Sequence, residues 1–287
     1  MNFDITNMST PIYYHPGQDV GFNFISTAKI PEFVRQSGRQ PHWFKGYTDA
    51  DFELAHDPNY VRRIFKGVER NGFNNTDQRL NETFRYSNAS LWAAAQSAIT
   101  FDGVACSASQ GFHHAGWDSA FGYCTFNGLI IATVKALEIL PEKRRRVMII
   151  DGDGHFGDGT ALLIQKLSLY DHVRHVTRNE LSSGFKPEWN TEKWGAYTRD
   201  LISNFKPGII YYQAGADAWI DDPYGAGYLT KEAMGHRDRG IFRAARDEGV
   251  PIAWNLAGGY ADDMQDTIDL HLQTLSISDE EFYRALV

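Results

Sequence analysis

Four short apolar runs in this chain end abruptly in polar or glycine-rich residues. Gly103-Val-Ala-Cys106 opens into Ser107-Ala-Ser-Gln-Gly-Phe-His-His114, and Val147-Met-Ile-Ile150 stops at Asp151. Gly208-Ile-Ile-Tyr-Tyr212 runs into Gln213-Ala-Gly-Ala-Asp217, and Pro251-Ile-Ala-Trp-Asn-Leu256 ends at Ala257-Gly-Gly-Tyr260. A strand without polar alternation is buried on both faces, the condition met by a parallel sheet covered by helices. Helical patterns separate the runs. Pro58 follows a capping Asp57 ahead of Tyr60-Val-Arg-Arg-Ile-Phe65, and an alanine-rich helix spans Asn88 to Ile99 with its cap near Ser87 or Asn88. Apolar residues recur at helical spacing from Gly122 to Leu140, where Pro141 stops them. Further helices follow from Gly159 to Leu169, from a Thr230 cap to Ala245, and from about Ala261. Pro11-Ile-Tyr-Tyr14 reads as a short first strand that turns at His15-Pro-Gly-Gln. The expected fold is α/β: three layers, α/β/α, around a mainly parallel sheet. No repeat or linker divides residues 1–287, which read as a single domain.

At 287 residues, with 43% of them hydrophobic, the chain can bury a large core. No apolar stretch is long enough to span a bilayer. The start, Met1-Asn-Phe-Asp-Ile-Thr, lacks the basic and apolar regions of a signal peptide, so a cytoplasmic protein is expected. Cys106 and Cys124 are too few for a disulfide framework and read as buried thiols. A formal charge of −8 argues against direct nucleic-acid binding and is compatible with a cationic substrate. The one basic run, Lys143-Arg-Arg-Arg146, reads as a solvated connector.

Ligands of parallel α/β sheets bind beyond the carboxyl ends of the strands. There the sequence gathers its polar residues. In Asp151-Gly-Asp-Gly-His155, residues two apart point to one side, so Asp153 and His155 can converge on one metal, with Asp217 as a third ligand. Two carboxylates and one imidazole balance a divalent charge and leave the open position of a catalytic metal. His113 and His114 lie within reach of a water at that place. Asp151 and Asp158 are available to fix their tautomers, with the pairing open. Tyr260 follows two glycines and is suited to donate to a developing oxyanion. Gly122 and Tyr123 offer a narrow aromatic wall for a thin aliphatic chain.

These stretches resemble the histone deacetylase family, which includes the acetylpolyamine amidohydrolases and has the arginase–deacetylase fold. The matching motifs are Gly111-Phe-His-His-Ala115, Gly122-Tyr-Cys124, Ile150-Asp-Gly-Asp-Gly-His-Phe-Gly-Asp-Gly159, Gln213-Ala-Gly-Ala-Asp217 and Gly258-Gly-Tyr260. Tyr13-Tyr-His-Pro16 and His56-Asp-Pro-Asn-Tyr-Val61 extend the likeness over nearly the whole chain. The resemblance implies zinc, or else ferrous iron, on Asp153, His155 and Asp217. It implies that His114 takes the proton of the attacking water and helps protonate the leaving amine, that His113 acts mainly electrostatically or shares the acid role, and that Asp151 pairs with His113 and Asp158 with His114. Tyr260 would polarise the acyl carbonyl. The implied reaction removes an acetyl or related acyl group from acyl-lysine or an acylated polyamine. Phe156 stands where many members carry a second histidine. The segment between His155 and Asp217 is shorter than in most eukaryotic members, which leaves a monovalent-cation site open, and Ser183-Gly-Phe185 is the candidate remnant of the channel wall there. Ser107-Ala-Ser-Gln lacks the proline/glycine-rich form seen in many members. The alternatives are an arginase-like ureohydrolase, which needs two metals, and a catalytically silent protein that binds an acylated ligand. Oligomeric state is not legible.

Overall fold

The computed structural model describes residues 9–19, 21, 24–183, 188–225 and 227–283. Its six strands are β1 (Ile12–Tyr13), β2 (Val104–Ser107), β3 (Val147–Asp151), β4 (Val173–Val176), β5 (Ile209–Gln213) and β6 (Ile252–Asn255). They form one sheet in the order β1-β2-β6-β5-β3-β4, with every neighbouring pair parallel. The helices are α1 (Ile25–Gln36), α2 (Asp49–Phe52), α3 (Pro58–Phe65), α4 (Gln78–Phe101), α5 (Gly128–Ile139), α6 (Asp158–Lys166), α7 (Arg178–Ser183), α8 (Thr191–Phe205), α9 (Lys231–Asp247) and α10 (Met264–Phe282).

The strand residues alternate between two cores. Ala105, Val147, Ile149, Ile209, Tyr211 and Ala253 pack with side chains of α2 to α6 on one face. Cys106, Met148, Ile150, Ile210, Tyr212 and Trp254 pack with α1, α8, α9 and α10 on the other. This is the three-layer arrangement that the unbroken apolar runs predict. Among the described residues no helix is long and apolar enough to cross a membrane. Both cysteines are buried and free.

Capping chemistry sets several boundaries as expected. Asp57 accepts from the amides of Asn59 and Tyr60 at 2.8 and 3.0 Å, and Thr230 accepts from Ala233 N at 3.1 Å ahead of α9. Other boundaries differ. The alanine-rich helix begins at Gln78, capped by Asp77, and Ser87 and Asn88 lie inside it. Both turn their side chains back to the Phe84 carbonyl, at 3.5 and 3.0 Å, so these polar residues mark an internal turn of helix. Residues 122–127 are not helical either: α5 starts after Asn127, whose side chain accepts from Ile130 N. The apolar spacing ahead of it belongs to a turn and to the core. The last helix starts behind an Asp263 cap. Helix α1, strand β4 and helix α8 were not anticipated. Pro31 lies inside α1 and breaks its signature, and β4 carries two polar residues among four.

His56 ties the first helical layer to the site. Its Nε2 accepts from Asn127 N at 2.8 Å and its Nδ1 donates to Gly116 O at 2.8 Å. Burial lowers its pKa to about 4. The unfolded chain protonates this imidazole at a higher pH than the native state does, near ~6.5. Its contribution to stability is therefore complete above that pH and is lost as pH falls toward about 4. The denaturation midpoint of the wild type should fall more steeply from about pH 7 to about pH 5 than that of His56→Gln. Equal slopes in paired denaturant titrations would refute the assignment.

Candidate active site

The carboxyl ends of β2, β3, β5 and β6 all point their loops to one edge of the sheet. Beyond β3, Asp153 and His155 meet Asp217, which sits in the short turn after β5. One ligand atom from each of the three lies within 4.8 Å of the others. His155 Nδ1 is 2.9 Å from Asp217 Oδ2 and 3.2 Å from Asp153 Oδ1. Its Nε2 donates to Tyr224 O at 2.8 Å, which turns Nδ1 toward the carboxylates.

Asp153 and Asp217 are both buried, and backbone amides meet them. Gly154 N donates to Asp217 Oδ1 at 2.8 Å, His155 N to Asp153 Oδ1 at 3.0 Å, and Gly258 N to Asp153 Oδ2 at 2.9 Å. Burial and the neighbouring charge of Asp153 raise the Asp217 pKa to about 7. Hydrogen bonds to the two carboxylates push His155 up to about 11. A pair of buried carboxylates facing one imidazole nitrogen has the electrostatics that a divalent cation satisfies, and the donor set suits zinc or ferrous iron.

The histidine pair lies beside this cluster. The His113 and His114 ring centroids are 4.2 Å apart, and His114 is 5.9 Å from His155. His113 Nδ1 donates to Asp151 Oδ2 at 2.8 Å, and His114 Nδ1 to Asp158 Oδ1 at 2.6 Å. The two rings differ in environment. Burial lowers the pKa of His113, but the charges of Asp151, Asp153 and Asp217 and the hydrogen bond to Asp151 together outweigh it, and the value rises to about 9. His114 is lowered by burial and by the charge of His113. The loop bearing the pair is pinned by Asn127 Nδ2, which donates to Ala115 O at 3.1 Å, and by Thr160 N, which donates to His113 O at 2.9 Å.

Gly122 and Tyr123 have φ of +53° and +63°. They form a two-residue turn in which Phe121 and Cys124 exchange both backbone hydrogen bonds, at 3.0 and 2.8 Å. The left-handed backbone at Tyr123 is unfavourable for a bulky residue, and it sets the ring 5.9 Å from that of Tyr260. Tyr260 is buried, 6.4 Å from the His155 ring, with burial keeping its phenol pKa well above the usual value. The structure thus gathers all ten sequence-selected residues around one cluster. Gly184 and Phe185 of the candidate wall segment lie outside the described residues.

The sequence belongs in a larger group. A sequence model of the histone deacetylase domain matches residues 28–173 and 174–275. The chain belongs to the histone deacetylase family. An uncharacterised protein of Picosynechococcus sp. is 27% identical over 240 residues, 76% of this chain and 78% of that protein. Histone deacetylase 2 of Arabidopsis thaliana is 29% identical over 199 residues, and the match spans 64% of this chain but only 51% of the plant protein. The acetylpolyamine aminohydrolase from Burkholderia pseudomallei has a similar fold at a TM-score of 0.70 and 16% identity, over 94% of this chain and 99% of that one. The HDA15 HD domain superposes at 0.73, also with 16% identity, over 94% and 90%.

Lys29 and Asp222 also border this candidate site, and the sequence does not single them out. Lys29 of α1 is fully buried; its ammonium donates to Ala257 O at 2.7 Å and to Gly259 O at 3.3 Å. Burial lowers its pKa to about 8, against the pull of Asp217, Asp153 and Asp222. It holds the loop that ends in Tyr260, a loop with φ of +56° at Ala257 and +138° at Gly259. Asp222 accepts from Tyr260 N at 2.6 Å and from Gly225 N at 2.8 Å, joining that loop to the one carrying Tyr224. A lysine in an amphipathic helix and an aspartate before a proline carry no signal that distinguishes them from surface residues.

Packing leaves no room at Gly258. A Cβ there would lie 2.2 Å from Asp217 Oδ2 and 2.8 Å from Asp153 Oδ2. Gly258→Ala should therefore part the two carboxylates and weaken any divalent-cation binding between them by about tenfold or more, read by isothermal titration with zinc against the wild type. Unaltered uptake would mean that the two carboxylates do not grip the ion.

Proposed function

We propose that this chain is a metal-dependent amidohydrolase that removes an acetyl or related acyl group from an amine. The observation that carries the reading is the convergence of Asp153, His155 and Asp217 beside both members of the histidine pair and Tyr260. Those three residues would hold one zinc, or one ferrous ion, with no monovalent cation assigned. A divalent ion there supplies Lewis acidity, lowering the pKa of water and polarising the acyl carbonyl.

The rest is the work of the chain's own groups. Asp158 takes the Nδ1 proton contact of His114, so Nε2 is left free to accept a proton from the attacking water and to pass it to the departing amine. Asp151 holds His113 through the same ring atom, and the charge favoured on His113 stabilises the negative tetrahedral stage. Tyr260 donates its phenol proton as a hydrogen bond to the oxyanion. Gly122 and Tyr123 line the approach, where a flat aromatic wall suits an aliphatic stem.

Acyl-lysine side chains and acylated polyamines are the substrate classes that this reading favours. The fold shared with an acetylpolyamine aminohydrolase supports the second class. We place the reaction in the cytoplasm, on residues 1–287 as one catalytic unit, with no direct contact to nucleic acid.

A panel of acetylated lysine peptides and acetylated polyamines, assayed with zinc-loaded protein, tests the reading. Turnover should vanish with a chelator and return with zinc, and metal analysis should find one ion per chain. No turnover of any acyl amine would reject the proposal. Tyr260→Phe should lower kcat by roughly a hundredfold, the effect of losing an oxyanion donor, while the melting temperature stays near that of the wild type. His114→Ala should keep its zinc and lose most activity; a wild-type rate in steady-state assays would exclude the proton role.

A further inference from the structure

A third imidazole borders the His113–Asp151 pair. His175 lies on β4, the edge strand, in parallel register opposite Ile149 of β3. Residues two apart share a face of a strand, so His175 and Asp151 point to the same side of the sheet. The His175 side chain is 6% exposed, and its Nε2 lies 3.5 Å from Asp151 Oδ2. That is the oxygen that accepts from His113 Nδ1 at 2.8 Å. The other carboxylate oxygen accepts from Gln213 Nε2 at 3.0 Å and, at 3.4 Å, from Asp153 N.

The close approach has a backbone cause. A Cβ on Gly157 would lie 2.5 Å from Asp151 Oδ2, 3.1 Å from His113 Cβ and 3.1 Å from His175 Cε1. All three side chains thus converge over a residue that has none. With His175 in place Oδ2 faces two donors, as Oδ1 does; without it Oδ2 keeps only the contact to His113 Nδ1 and one of its lone pairs is unmet.

We propose that His175 is a positioning residue for the His113–Asp151 pair: its Nε2–H holds the Asp151 carboxylate so that Oδ2 stays on His113 Nδ1. The consequence for catalysis rests on the deacetylase reading above; the effect on His113 does not. The side-chain contact of His175 is to Asp151, which is not one of the three proposed cation ligands, and His175 acts through it. A glutamine can supply a similar N–H, and a leucine cannot.

His175→Leu should lower kcat about tenfold, the scale of losing a group that orients another, with KM and zinc content unchanged. His175→Gln should recover most of the rate. Independently of turnover, the downfield resonance of the His113 Nδ1 proton, assigned by its absence in His113→Phe, should move in zinc-loaded His175→Leu and return toward its wild-type position in His175→Gln. An unmoved resonance in His175→Leu overturns the proposal, as does a kcat equal to wild type, or a loss seen only in KM or zinc content. If His175→Leu does not fold, the glutamine variant decides: a displaced His113 resonance with tenfold lower kcat overturns it. A wild type inactive on every acyl amine would count against the deacetylase reading alone, since the resonance would still report on His175.

Discussion

The burial of two aspartates face to face at the ends of β3 and β5 is the constraint around which this structure is arranged. Removing one carboxylate from water costs several kcal/mol unless charges and hydrogen bonds compensate, and Asp153 and Asp217 also repel each other. The chain meets the demand with amides of Gly154, His155 and Gly258, with the His155 ring, and with a buried lysine behind the loop. Each needs backbone to run very near the carboxylates, which explains glycine at 154 and 258: a Cβ at either would lie within 3.3 Å of the Asp217 carboxyl carbon. What these groups leave uncompensated is the charge that the proposed cation would meet. The parallel sheet is the device that makes this possible, because its strands deliver several loops to one edge while both faces stay covered.

The architecture was legible because its signal is local. Val147-Met-Ile-Ile150 and Gly208-Ile-Ile-Tyr-Tyr212 contain no alternation, and only a doubly covered sheet buries such runs; the observed split of odd and even residues between two cores follows from it. The site was legible for a related reason, since Asp153 and His155 sit two residues apart and Asp217 ends a neighbouring run. Where the sequence misled, competing signals were present. The polar Ser87 and Asn88 look like a helix cap and are internal to α4. Residues 122–127 look like the start of a helix and instead hold a turn with left-handed backbone at Gly122 and Tyr123.

Lys29, Asp222 and His175 were missed for a different reason. Each acts on residues far away in the chain: Lys29 reaches Ala257, and His175 reaches Asp151 from the edge strand. Periodicity reports which side of an element is apolar; it does not report which polar side chain will be enclosed when two layers close. Lys29 shares a helix with Pro31, and nothing near it in sequence hints that its ammonium ends among backbone carbonyls. Long-range burial of this kind becomes visible only once the layers are assembled.

The loop at 222–225 shows how such contacts link two functions. Asp222 Oδ2 accepts from the amide of Tyr260, and the Tyr224 carbonyl accepts from the Nε2 of His155. The Tyr224 ring also meets that of Tyr260 edge-on at 5.9 Å. One short segment therefore fixes both the imidazole of the proposed cation site and the backbone of Tyr260. A displacement of this segment would shift the two together, so their separation is insulated from small movements elsewhere, while substitutions within it would alter the reacting geometry before they disturbed the core. The strained backbone at Ala257 and the positive-φ turn at Gly259, held on the opposite side by Lys29, complete the clamp. Tyr260 is positioned from two sides by charged groups, Asp222 on its amide and Lys29 on the carbonyls before it, which is the kind of fixed environment in which a single hydrogen-bond donor is most effective.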